Sequence, residues 1–257
     1  MRMRWWAGAG ALMGGLVGLV VGAPASWLAQ AIAVASHGNL QLQAASGTVW
    51  QGRARMVITG GADSAAAVAL PGWLTWQIEA HTSGLTLRLR ADCCIDGELP
   101  FEVTPAWRSV QVKVPDAVSR WPAGLLAGLG APWNTIGAQG ALQLKTERLS
   151  AAWSEGRWTW VGTAQLDALG MSSQLSTLRP LGSYRLRLAA DPGAAAPQLR
   201  LETLEGSLQL SGTGQWSGSQ WRFQGEARAE LQAEEALGNL LNILGRREGM
   251  RSVISLG

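Results

Sequence analysis

Histidine, lysine, cysteine, tyrosine and phenylalanine are all scarce in this chain of 257 residues, and each shortage removes a class of chemistry. The two histidines, His37 and His81, lie far apart with no second ligand at metal-binding spacing, and read as surface or turn residues. Lys113 and Lys145 are the only lysines; both sit in strand-like runs, so no Gly-rich loop ending in Lys can cradle a phosphate. Cys93 and Cys94 are adjacent, which excludes the usual metal spacings and a thioredoxin-like pair. They read most simply as two small apolar residues or unreacted thiols, with a vicinal or intermolecular disulfide as the alternative. The sequence Gly214-Gln215-Trp216-Ser217-Gly218 has Trp where a nucleophile elbow needs Ser. The carboxylate pairs Asp92 with Asp96 and Glu234 with Glu235 are explained by turns and a helix start. The expectation is therefore a protein that is not an enzyme, with no catalytic, cofactor-binding or metal-ligating residues. Charge is also thin: 15% of residues are charged and the net charge is +3. The basic residues are spread singly along strands, so no patch suits nucleic acid.

Glycine and tryptophan are abundant instead, at 33 and 14 residues. Together with many short alternating runs they point to a mainly β, turn-rich antiparallel fold. One pattern comes back three times. Gly-x-Leu-Gln-Leu stands at residues 38–42, 140–144 and 206–210, and an aromatic-x-Gly-x-Ala follows each: Trp50, Gly52, Ala54; Trp160, Gly162, Ala164; Phe223, Gly225, Ala227. The repeats span 38–54, 140–164 and 206–227. Alternating Leu and Gln give a strand with one wet face, and the aromatic, Gly and Ala of the closing half share the other strand's face. A Gly at the centre leaves room for a neighbouring ring. Each repeat therefore reads as a hairpin, with these nine residues as its structural motif.

Ahead of the repeats, Arg2 and Arg4 precede an uncharged apolar run from Trp5 to Ala23. A helix of about 19 residues at ~1.5 Å rise just spans the hydrocarbon layer. The charge bias places residues 1–4 in the cytoplasm, makes 5–23 a single transmembrane anchor whose helix continues to about 36, and puts the β-rich domain, 38–257, in the periplasm. Ala23-Pro24-Ala25 also has the small-x-small form of a signal-peptide cleavage site, and either reading exports the remainder. Gly10, Gly14 and Gly18 offer Gly-x-x-x-Gly spacings for a second membrane helix.

Further along, residues 72–80 and 84–91 alternate as strands, with Leu85, Leu87 and Leu89 on one face and Thr86, Arg88 and Arg90 on the other. Pro115 and Asp116 open the one interior stretch with helical spacing, through Val118, Trp121, Leu125, Leu126 and Leu129, with Asp116 as N-cap and Pro122 as a break. A second helix is expected over 233–244, with Leu237, Leu240, Leu241 and Leu244 on one face and Arg246 and Arg247 near its negative end. A strand over 252–256 could return to the sheet. The architecture expected is a large curved antiparallel sheet of repeated hairpins with one or two short covering helices.

Four segments carry a likeness to a known family. They are Ser46-Gly47-Thr48-Val49-Trp50-x-Gly52-x-Ala54, Ala131-Pro132-Trp133-Asn134-Thr135, Leu175 to Leu186 (LSTLRPLGSYRL), and Leu241-x-x-Leu244-Gly245-Arg246-Arg247. The chain resembles the type II secretion system protein N, also called general secretory pathway protein N. The resemblance implies a single-pass inner-membrane protein with a periplasmic β domain. It also implies a place in the apparatus that exports folded proteins across the outer membrane, with other inner-membrane and periplasmic subunits as partners and the bilayer gripped by the N-terminal helix. No catalytic residues come with it. Two modes of action stand: a structural or docking subunit, or an envelope protein that binds lipid or another hydrophobe in an open apolar β-groove. They differ in whether the apolar face, through residues such as Leu85, Leu87, Trp158 and Leu208, is closed.

Overall fold

The structure is a computed structural model that describes residues 13–15, 17–61, 66–191, 196–217 and 220–256. One antiparallel sheet dominates it. In chain order the strands are β1 (Leu40–Gly47), β2 (Gln51–Thr59), β3 (Ala67–Ala69), β4 (Leu74–His81), β5 (Gly84–Ala91), β6 (Leu99–Ala106), β7 (Ser109–Lys113) and β8 (Ala117–Pro122). They continue as β9 (Gln139–Ser154), β10 (Arg157–Ser172), β11 (Gly182–Ala190), β12 (Gln198–Glu205), β13 (Leu208–Trp216), β14 (Trp221–Ala229), β15 (Arg246–Glu248) and β16 (Arg251–Leu256). Neighbours follow the sequence almost throughout, in the order β1-β2-β4-β5-β6-β7-β9-β10-β11-β12-β13-β14-β16-β15. β3 pairs with β2 and β8 with β9, beside that path. β9 and β10 are twice the usual length, 16 residues each, so β7 covers the upper half of β9 and β8 the lower half.

Period-two alternation decides which side of this sheet is dry. Cross-strand partners carry the apolar face from strand to strand: Trp76 opposite Leu89, Leu87 opposite Phe101, Val103 opposite Val112, and Val110 opposite Trp153. It continues through Leu166 opposite Leu186, Leu186 opposite Leu201, and Leu210 opposite Ala227. The other face is polar, with Arg88, Glu79 and Glu98 in one ion-paired group and Arg251 between Glu226 and Glu248 in another.

Three covers lie on the apolar face, and they make two cores. Helix α1 (Ala25–Ala35) lays Ala25, Leu28, Ala29 and Ile32 over Leu42, Ala54, Leu74 and Trp76. The short helix α2 (Trp133–Ile136) and helix α3 (Glu234–Leu244) close the other core, where Leu237, Leu240 and Leu241 are fully buried against Leu142, Tyr184, Leu208 and Ala227. Burying each Leu of this kind is worth about 1.5–3 kcal/mol, which holds α3 in place although no side chain caps it. A 3₁₀ turn, Ala123–Leu129, bridges the two: Leu125 belongs to the first core, Ala123 to the second, and Trp121 packs on both.

The expected helix from Asp116 is corrected. Residues 117–122 form strand β8 on β9, with Ser119 and Trp121 facing inward opposite Leu144 and Leu142. Asp116 caps no helix; its carboxylate accepts the backbone N–H of Arg148 across the sheet. Helix α3 and strand β16 lie where the sequence puts them, but Arg247 does not serve the C-terminal end of α3. Gly245 is extended, the chain turns back, and Arg247 reaches Glu234 in the first turn at 3.2 Å. The anchor expected over 5–23 lies partly outside the described residues; residues 13–15 and 17–21 are helical. Among the described residues no helix is long and apolar enough to cross a membrane.

One polar pair is sunk between strands. Arg185 on β11 donates to Asp167 on β10 through Nε at 2.8 Å and Nη2 at 2.9 Å, and Gln165 adds a third bond at 3.0 Å. The Arg185 hydrogen bond, opposed by burial and helped by Gln165, holds the Asp167 carboxyl below its ordinary value of 3.8. A depressed carboxylate contributes stability that is complete above the unfolded-state value and fades as pH falls through the folded-state one. Chemical unfolding midpoints should therefore drop as pH falls below 3.8, and Asp167→Asn should flatten that dependence. An Asp167→Asn profile identical in slope to the parent would contradict this linkage.

Candidate functional site

All three repeats are hairpins of adjacent strands, β1–β2, β9–β10 and β13–β14, and their glycines fill three different steric needs. A Cβ on Gly52 would stand 2.4 Å from the ring of Trp76 on the next strand. A Cβ on Gly225 would stand 2.9 Å from the Phe223 ring and 2.6 Å from the Ser211 carbonyl oxygen. Gly162 faces backbone alone: its φ is +106°, and a Cβ would sit 2.3 Å from the Arg148 carbonyl oxygen. There two residues of β9, Arg148 and Leu149, oppose one of β10, a β-bulge with Arg148 at φ 47°. β1 carries the matching irregularity at Ala44 and Ala45, opposite Ala54, with Ala44 at φ 52°. The third hairpin runs in unbroken register from Leu208 to Trp216. Trp50, Trp160 and Phe223 diverge in turn. Trp50 lies before β2 and donates to the Val20 carbonyl at 2.7 Å, Trp160 is exposed, and Phe223 is buried. Ala54 and Ala227 are fully buried, and Ala164 lines the open part of the face.

That open part lies on strands β9 to β14, beside the second core on the side of the β9–β10 turn. A hollow of about 300 Å³ is walled by Leu144, Leu166, Leu186, Leu188, Leu199 and Trp221, with almost no polar surface. Toward the hairpin turns the same face continues into Trp153, Trp158 and Trp160, all exposed. Of the residues expected to line a trough, Leu85 and Trp158 are exposed and Leu87 is partly buried, whereas Leu208 is buried beneath α3. Leu188 and Leu199 were not singled out by sequence, although their alternation with Arg187 and Arg200 carries the signal.

Among the described residues no cluster of His, Cys, Asp or Glu could hold a metal. Cys93 and Cys94 are bonded to each other, in place of the unreacted pair the sequence suggested, in the turn between β5 and β6. The Cys94 side chain is buried in the first core, and its carbonyl accepts the Arg120 N–H of β8 at 2.9 Å. His81 contacts Thr86 at a hairpin turn, and His37 sits at φ 53° between α1 and β1. Tyr184 is the one buried side chain among the described residues whose polar atom has no partner, and burial pushes its phenol well above its usual range. Removing an unsatisfied buried hydroxyl is close to neutral or stabilising. Tyr184→Phe should leave the thermal midpoint unchanged or raise it; a clear drop would show that the hydroxyl makes a bond.

The segments that carry the family likeness prove to be packing elements. Leu181, Gly182, Ser183 and Tyr184 are all buried at the start of β11, and Ser183 bonds Glu205 at 2.9 Å. Trp133 to Thr135 build α2, and Leu241 anchors α3. Neither the curated proteins nor the solved structures contain a significant match. The family model for the type II secretion system (T2SS), protein N, matches residues 38–253, from the turn before β1 into β16. With most of its length within that match, the chain belongs to the type II secretion system protein N family.

Proposed function

We propose that this chain is an inner-membrane-anchored, periplasmic docking subunit of the type II secretion apparatus, working by contact and without catalysis. The observation that carries the reading is the contrast between the two ends of the sheet. β15 is three residues long and consists of Arg246, Arg247 and Glu248, which discourages further pairing. β1 is eight residues long and has no charged residue and no proline, the composition of an edge that accepts another strand. A partner subunit adds an extended segment there. The N-terminal apolar run tethers the sheet to the membrane.

A Lys placed on the exposed edge should block strand addition and leave the fold alone, since Gln43 is solvent-facing. Gln43→Lys should therefore reduce co-purification of secretion-system subunits by about tenfold, equivalent to ~1.4 kcal/mol of binding. The same substitution should leave the thermal midpoint of the isolated protein unchanged. Undiminished co-purification would remove the β1 edge from the account. A reporter enzyme fused after Gly257 should be active only outside the cytoplasm, and cytoplasmic activity would overturn the topology.

The second reading, hydrophobe binding, draws on the open hollow between Leu144 and Trp221. An apolar cavity with so few polar groups suits an acyl chain better than a polar ligand. Organic extraction of purified protein should then recover lipid near one molecule per chain; a clean extract leaves docking alone.

A further inference from the structure

Antiparallel pairing at every step of the sheet puts alternate connections at opposite ends. At one end lie the chain reversals β2–β4, β5–β6, β10–β11, β12–β13 and β14–β16, together with the 3₁₀ turn, α2 and the entry to α3. At the other lie the reversals β1–β2, β4–β5, β6–β7, β9–β10, β11–β12 and β13–β14. Tryptophan concentrates at this second end. Trp50 follows β1, Trp107 sits in the β6–β7 turn, Trp153 and Trp158 pair across the β9–β10 turn, and Trp216 and Trp221 pair across the β13–β14 turn. Trp107 is 94% exposed, Trp158 48% and Trp153 38%. Arg108 and Arg157 stand exposed in the same turns.

The N-terminal apolar helix reaches the sheet at this same end. The Val49 N–H donates to the Ala23 carbonyl at 2.8 Å, Pro24 bridges Thr48, and the Trp50 indole donates to the Val20 carbonyl at 2.7 Å. Just before that junction Val17, Leu19, Val20 and Val21 are all more than half exposed. From the junction α1 runs away to the opposite end and β1 returns. The opposite end also exposes apolar groups, but Leu231 and Met250 share their hollow with Arg228, Glu230, Glu248 and Arg251.

From this placement we infer that the Trp-bearing hairpin turns form a bilayer-contact surface, lying at the phospholipid headgroup level beside the anchor. The indole suits that layer because its ring is apolar and its N–H needs a polar partner. Arg108 and Arg157 then meet headgroup phosphates. The apolar face, rimmed by Trp153 and Trp158, opens directly onto the lipid. The inference rests on the anchored reading above, and deepens it by giving the sheet an orientation: hairpin turns toward the membrane, helix-covered end toward the periplasm.

The test uses the full chain labelled with 5-fluorotryptophan in vesicles of phosphatidylethanolamine and phosphatidylglycerol, with a paramagnetic chelate carried on the lipid headgroup. Single Trp→Phe substitutions assign the signals. The expected result is loss of the Trp107 and Trp158 fluorine signals while those of Trp73 and Trp133, at the other end, persist. An alkaline wash before measurement separates the two claims. Protein that stays with the vesicles but keeps sharp Trp107 and Trp158 signals overturns the contact surface and spares the anchor; those turns then face solvent or a protein partner. Protein that washes off overturns both.

Discussion

Gly162→Ala should destabilise the sheet more than the matching change at either other repeat. At φ +106° an alanine is strained, at a cost of about 1–3 kcal/mol. Its Cβ would also press on the Arg148 carbonyl oxygen at 2.3 Å and the Leu149 Cα at 2.7 Å, both backbone atoms. Overpacking of this kind costs about 1–3 kcal/mol more. Gly52→Ala meets the Trp76 ring and the Ser46 carbonyl, and Gly225→Ala meets the Phe223 ring and one carbonyl, but neither glycine has a positive φ, so backbone strain is added only at Gly162. Equilibrium unfolding in urea should rank Gly162→Ala as the most damaging of the three. Equal effects at all three sites would show that the bulge opposite Gly162 does not govern the centre of the sheet.

The second large effect is expected at Leu241, which is fully buried in α3 among Leu208, Ala227 and Leu237. Leu241→Ala removes its contacts and leaves a cavity, at a cost of about 2–5 kcal/mol. The neighbouring Ser252 hydroxyl, also fully buried, bonds the Leu241 carbonyl at 2.7 Å and so ties the helix to β16. Loosening α3 should therefore loosen the C-terminal edge with it: hydrogen exchange should quicken through β14 and β16 in Leu241→Ala and stay unchanged in β4 and β5. If β4 and β5 exchange faster to the same degree, the two cores form one cooperative unit.

Much of this arrangement is legible in the residues alone. Leu-Gln alternation after a Gly marks each repeated hairpin because a half-buried strand needs period two. The spacing of Leu237, Leu240, Leu241 and Leu244 marks α3 for the corresponding helical reason. The stretch after Pro115 misleads because Val118, Trp121 and Leu125 satisfy a helical period while the actual inward set includes the polar Ser119. Ser119 is tolerated there because the Trp121 indole donates to its hydroxyl at 2.9 Å, a bond that no sequence pattern announces. The bulge at Arg148 is equally hidden. It shifts the inward side of β9 from Leu142, Leu144 and Thr146 to Ala151 and Trp153, so a strict alternation count along the strand fails halfway. The concentration of Trp at one end of the sheet required the pairing order, because residues as distant as Trp50, Trp107 and Trp216 become neighbours of one boundary only through alternate reversals.

The account stands on contact made at the β1 edge, and site-specific photocrosslinking there tests it most directly. With a photoreactive amino acid at Gln43 in the full-length chain, in cells assembling the whole apparatus, irradiation should yield an adduct whose partner is sequenced as a secretion-system subunit. The same probe at Arg246, on the charged edge, should yield none. Adducts with that subunit from Arg246 and none from Gln43 would contradict the assignment of the docking edge, and the absence of any secretion-system adduct from either would contradict docking itself.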